Sequence, residues 1–214
     1  ISEWKDLSGN GNNGQQSVTN EQPLFDIDGL NGKVGLHLDG TNDSFKLITG
    51  GTISSSYTMF FVAQYEIKSA DLTFPSAILI SQYDASVAGR MNVQVNNPVT
   101  DTAKLWTWSS GGTKTSDDQV SVNTPFIYTV KNNNRVVDGW VNGGTLSDSG
   151  SITISTDAAN IDNYIGKSIY GTSLYSESYK GIISEIIIFD TALTDDQIIK
   201  VQYYLSKKWG LETS

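Results

Sequence analysis

The chain has 214 residues, no cysteine, 14 basic against 23 acidic side chains and a net charge of −9. Those figures exclude a disulfide framework and a thiolate metal site. They also remove the electrostatic footing for nucleic-acid or anionic-membrane binding, since Lys207-Lys208 is the one adjacent basic pair. No apolar run approaches the roughly 18 residues of a membrane span, so membrane insertion is not expected. A chain of this length can bury about 70% of its unfolded surface as one domain, here residues 1–214. It begins at Ile1 without a signal-like segment, as a module of a longer protein would.

In chain order, the first feature is Ser8-Gly-Asn-Gly-Asn-Asn-Gly14, which matches the dinucleotide fingerprint G-x-G-x-x-G at Gly9, Gly11 and Gly14. That fingerprint works only where the glycines follow a buried strand and open a helix, so that backbone amides and the helix dipole meet a pyrophosphate. Here the preceding residues are mostly polar, and no 3.6-residue apolar stripe appears before Pro23. The glycines and asparagines read instead as a turn, because both tolerate positive φ.

Lys33–Asp39 then alternates, with Val34, Leu36 and Leu38 on one face, and Tyr57–Tyr65 has the aromatic and β-branched content of a central strand. Further strands are expected at 77–82, 91–95, 105–108, 126–130 and 136–141, between clusters of Asn, Asp, Gly and Ser. Asn142-Gly143 carries a tight-hairpin signal. Gly181–Asp190 is a strongly apolar strand. Thr194-Asp-Asp-Gln197 fits a capping box, Ile198, Val201, Gln202, Leu205 and Trp209 share one helical face, and Gly210 suits a C-cap. This pattern predicts an all-β sandwich or barrel of antiparallel strands closed by one C-terminal helix of about four turns.

Four segments occur in order: WKDLSGNGNNG from Trp4, GKVGLHLDGTND from Gly32, WVNGG from Trp140 and YKGIISEIIIFDTALTDDQI from Tyr179. Together they resemble the laminin-G-like (type 3) modules of the concanavalin A-like lectin/glucanase superfamily, over nearly the whole chain. The resemblance implies a concanavalin A-like jelly-roll sandwich of two antiparallel sheets, with Trp4 and Trp209 in core packing at a seam where the termini meet. Sugar-binding modules, adhesins, protein-binding domains, virion proteins and some glycanases share that fold, so function has to be argued from sites.

Retaining glucanases of this fold carry carboxylates two apart on one strand, which puts acid and nucleophile on the same face. Glu185 and Asp190 are five apart, so a strand sends them to opposite faces. Asp26 and Asp28 do share a face but stand in a loop-like stretch before Gly29. A serine triad would need His37, the single histidine, which reads as a solvent-facing strand residue, and no G-x-S-x-G elbow is present. We therefore expect a non-enzyme.

Calcium takes six to eight oxygens, and Asp39, Asn42 and Asp43 offer several in one turn, although the same residues read first as a polar hairpin turn. Sugar binding needs aromatic faces beside amides and carboxylates. Trp106 and Trp108 lie two apart on one strand, Trp140 precedes a hairpin turn, and Tyr170, Tyr175 and Tyr179 sit in a polar stretch. These aromatics either line a glycan groove or pack the core. The reading is a carbohydrate-binding, lectin-like or adhesin module, calcium-assisted at that turn, on a bacterial surface or phage particle. The alternative is a structural or protein-interaction module of a virion, with a glycan hydrolase or lyase ranked third.

Overall fold

The computed structural model describes residues 1–48, 56–66, 76–84, 90–96, 100–109, 112–144, 148–151, 161–170, 173–174 and 177–212. Strands run in chain order as β1 (Glu3–Trp4), β2 (Gly14–Gln15), β3 (Leu24–Leu30), β4 (Lys33–Asp39), β5 (Phe45–Leu47), β6 (Ser56–Tyr65), β7 (Ser76–Asp84), β8 (Arg90–Asn96) and β9 (Thr102–Ser109). They continue as β10 (Gly112–Ser121), β11 (Phe126–Asn133), β12 (Val136–Val141), β13 (Asp148–Ser151), β14 (Ile161–Ile165), β15 (Ile169–Tyr170), β16 (Ser173–Leu174) and β17 (Lys180–Phe189), and helix α1 (Asp195–Trp209) follows. The first sheet has the order β1-β2-β5-β14-β7-β8-β9-β10, the second β13-β12-β11-β6-β17-β4-β3, and β15 pairs with β16. The described pairings are antiparallel, as the short alternating strands require.

Leu36, Leu38, Phe61, Leu79, Val93 and Leu105 pack between the two sheets. On the outer face of the second sheet, Phe60, Val62, Ile127 and Ile182 pack with Ile198, Leu205 and Trp209 of α1. Central strand β6 is therefore covered on both faces. That is why Tyr57–Val62 is apolar almost without alternation, while strands facing water on one side alternate. Burying one such Leu or Ile stabilises the fold by about 1.5–3 kcal/mol, so this second core fastens the helix to the sheet.

The helix boundaries follow the sequence closely. Thr194 Oγ1 accepts the Gln197 backbone N–H, and the Thr194 N–H donates back to Gln197 Oε1 at 2.9 Å. Gly210 closes the helix in the left-handed region at φ 66°. Gln202, the polar break in the apolar face, is buried and donates to Thr129 Oγ1 at 2.9 Å.

Some local expectations need correction. Leu36 and Leu38 are buried but Val34 is exposed, because the β4–β17 ladder ends at Leu36–Ile183 and Val34 stands beyond it, toward the hairpin tip. Asp26 and Asp28 belong to edge strand β3 rather than a loop, and a register shift separates Asp26 from Leu30. The two-residue hairpin joining β11 to β12 falls at Asn134-Arg135, both at positive φ, where Asn133 pairs with Val136. Asn142 and Gly143 also turn at positive φ, but the next described strand, β13, begins at Asp148 opposite Gly139. Trp4 packs beside Phe45 on the core between the sheets, whereas Trp209 lies in the helix-side core, so the two tryptophans close different cores.

Candidate functional site

Alternation decides which side chains the first sheet presents outward. Trp4, Phe45, Leu47 and Ile165 pack on the inner core, so their strand neighbours Glu3, Lys46 and Tyr164 take the outer face. The cross-strand register aligns these into one row: Glu3 opposite Gln15, Gln15 opposite Lys46, and Lys46 opposite Tyr164. Backbone pairing continues the row through Ser81 and Asn92 to Trp108.

A segment after β14 crosses this row. Gly166 turns it at φ 86°, and a side chain there would collide with Leu38. Ser81 Oγ donates to the Lys167 carbonyl at 2.7 Å, and Ser168 Oγ contacts Asn92 Oδ1 at 3.4 Å. Ser81 and Asn92 are thereby covered. To the β1 side of this segment lies a groove of about 750 Å³, lined among others by Glu3, Gln15, Ser44, Lys46, Tyr164 and Lys167.

Tyr164 is the aromatic face of the groove. The Lys46 and Lys167 ammonium groups stand 5.9 and 5.4 Å from its ring centroid. Lys46 pairs with Asp162 at 2.7 Å, and Lys167 with Glu21 at 3.5 Å. The phenol donates to Asp162 Oδ2 at 3.2 Å. Burial first, and then the Asp162 charge, push the phenol up to about 12, so it is a neutral donor at physiological pH. The arrangement offers a ring surface, two donor–acceptor pairs and carboxamides, which suits binding a polyhydroxylated ligand. Nothing in the local sequence announces it: Lys46 and Tyr164 lie far apart in the chain, and only strand pairing brings them together.

The residues singled out from sequence are distributed differently. Trp140 is half-buried against the helix-side core, with Lys131 Nζ 5.1 Å from its ring centroid. Tyr179 is fully buried. The backbone places Trp106 opposite Gln94 and Thr115, and Tyr170 opposite Ser173, while Tyr175 lies outside the described residues. Asp39, Asn42 and Asp43 do meet in one turn. Asp39 Oδ1 accepts the Thr41 and Asn42 amides at 2.7 and 3.2 Å, and Asp43 Oδ2 accepts the Asp39 amide at 3.0 Å. Those carboxylates hold the turn itself, and among the described residues no group of three or more acidic or histidine side chains gathers to hold a metal. Burial raises Asp43 above the usual carboxylate range.

The candidate catalytic residues are engaged structurally. Glu185 accepts the Trp209 indole N–H and pairs with Lys208 at 2.8 Å, tying β17 to the end of α1. His37 is half-buried and bonded to Glu66 at 3.0 Å, rather than simply solvent-facing. Asp26 Oδ1 accepts the Asp28 amide at 3.0 Å. The glycine-rich turn wraps the Asp6 carboxylate, which accepts the Ser8 hydroxyl and the Ser8 and Asn12 amides at 2.8–2.9 Å. These bonds, the Ser8 hydroxyl foremost, hold Asp6 below its ordinary value. No described helix is long and apolar enough to cross a membrane.

The sequence matches no family model and no curated protein. Solved structures share the fold. The Ruminococcus gnavus IT-sialidase CBM40, bound to α2,3 sialyllactose, superposes with a TM-score of 0.60 at 12% identity, covering 78% of this chain and 96% of that one. Domain 4 of AbnA, a GH43 extracellular arabinanase from Geobacillus stearothermophilus solved with arabinotriose, gives 0.60 at 17% identity over 85% and 81%. The botulinum neurotoxin serotype G binding domain gives 0.63 at 15% identity over 97% of this chain and 51% of that one. The fold is thus a jelly-roll sandwich of the lectin type, the architecture of these carbohydrate-binding modules.

Proposed function

We propose that this chain is a non-catalytic recognition module that binds carbohydrate in the groove around Tyr164. The observation that carries the reading is the Tyr164 ring with two lysine–carboxylate pairs beside it on the outer face of the first sheet. The shared fold with modules solved with sialyllactose and arabinotriose supports it. On this reading the module is a laminin-G-like relative working at a cell surface or outside the cell. On β9, the Trp108 backbone continues the Tyr164 row through Ser81 and Asn92, and Trp106 stands opposite Gln94. Calcium assistance would enter through the turn of Asp39, Asn42 and Asp43, which leads directly into the groove residues Ser44 and Lys46. Glycan-array binding by the wild type, lost in Tyr164→Ala, is the expected outcome. Chelation by EDTA would weaken that binding if calcium holds the turn. Absence of binding to any glycan would contradict the reading.

A second reading, a protein-interaction module of a larger assembly such as a virion, is favoured by one observation. Edge strand β3 exposes Leu24, Phe25 and Ile27, the last at 68%. Concentration-dependent self-association abolished by Ile27→Lys, without glycan binding, would select it.

A further inference from the structure

We infer that the groove selects uncharged sugars carrying adjacent hydroxyls and discriminates against acidic ones; this rests on the glycan reading above. The inference comes from how the groove's charges are already spent. Its two ammonium groups, Lys46 and Lys167, are each neutralised by a carboxylate, Asp162 and Glu21. Glu3 is the carboxylate that lines the wall itself, and Asp162 and Glu21 stand behind it as the partners of the two lysines. Three acids against two bases, on a chain of net charge −9, leave no excess positive field for an anion.

The pairs do suit a neutral diol. An ammonium has three donors and a carboxylate about four lone-pair sites. Lys46 Nζ and Asp162 Oδ1, 2.7 Å apart, therefore keep free capacity after bonding each other and the Tyr164 phenol. One sugar hydroxyl can donate to Asp162 while its neighbour accepts from Lys46, beside the Tyr164 ring. A ligand carboxylate meets the opposite situation. To reach Lys46 it must displace Asp162 or stand beside it, leaving two like charges on one ammonium. Lys167 presents the same problem through Glu21.

The test uses matched probes with the whole chain: lactose against sialyllactose, and methyl-esterified against free galacturonan, with arabinotriose as a further neutral probe. Affinities are read by calorimetry for the wild type and for Asp162→Asn, an exposed position whose change should leave the fold intact. The expected result is tighter binding of the neutral member of each pair. In Asp162→Asn the neutral affinity should fall about tenfold, the scale of one lost charged hydrogen bond, while the acidic affinity rises. Tighter binding of the acidic members by the wild type would overturn the selectivity and leave the glycan reading standing. Binding of neither kind would overturn both.

Discussion

Gln202 of the helix donates to Thr129 of the second sheet at 2.9 Å, and both side chains are buried. This contact lies among the apolar side chains Phe60, Val62, Ile127, Ile198 and Leu205, while the polar contacts of Lys131 with Asp195 and of Glu185 with Lys208 and Trp209 mark the two ends of the helix. Truncating either partner leaves the other without its bond. Gln202→Leu alone should cost about 1–3 kcal/mol, whereas Gln202→Leu combined with Thr129→Val should recover most of that loss. Urea denaturation of the two single variants and the double variant measures the coupling. Additive losses would show that the pair does not act as a unit.

Gly166 links fold to site. Its φ of 86° lies in the left-handed region, and a side chain would meet Leu38. Left-handed backbone alone costs a residue with a side chain about 1–2 kcal/mol. Gly166→Ala is therefore expected to lower the melting temperature and also to displace Lys167, the next residue, from the Tyr164 ring. Calorimetric melting together with glycan titration would check both. A variant that melts and binds like the wild type would refute this role.

Asp43 has a raised folded value because burial disfavours its charge. The sign follows directly. Between its folded value and the unfolded value of about 3.9, the folded state holds the proton more tightly, so this residue's contribution to stability grows as pH falls through that window. At neutral pH the buried charge is a cost. Asp43→Asn keeps an oxygen able to accept the Asp39 amide, so at pH 7 it should melt at or above the wild type, with the gap closing toward pH 4. A clear loss of stability at pH 7 in the presence of calcium, erased when calcium is removed, would instead mean that the charge holds a cation.

The fold was largely legible because its signals are local. The capping box at Thr194 and Gln197, the glycine C-cap at Gly210 and the apolar face from Ile198 to Trp209 set the helix without knowledge of the rest. Strands β8, β9, β11 and β12 follow from period-two patterning and turn residues. The site was much less legible. Lys46 looks like an ordinary outward residue between Phe45 and Leu47, and Tyr164 like one between Asn163 and Ile165. Their meeting depends on β5 pairing with β14, a contact between distant segments that no local pattern encodes. Tryptophan identity likewise does not reveal environment: Trp140 packs against the helix-side core because its strand neighbours fix which face it takes.

The central claim is that carbohydrate docks on Tyr164. Calorimetric titration of one bound neutral oligosaccharide into the wild type, Tyr164→Ala and Tyr203→Ala tests it most directly, since Tyr203 is an exposed tyrosine on the helix. The account predicts at least about a tenfold loss for Tyr164→Ala, the scale of one aromatic face with its polar neighbours, and unchanged affinity for Tyr203→Ala. Equal affinity in the wild type and a folded Tyr164→Ala would contradict it.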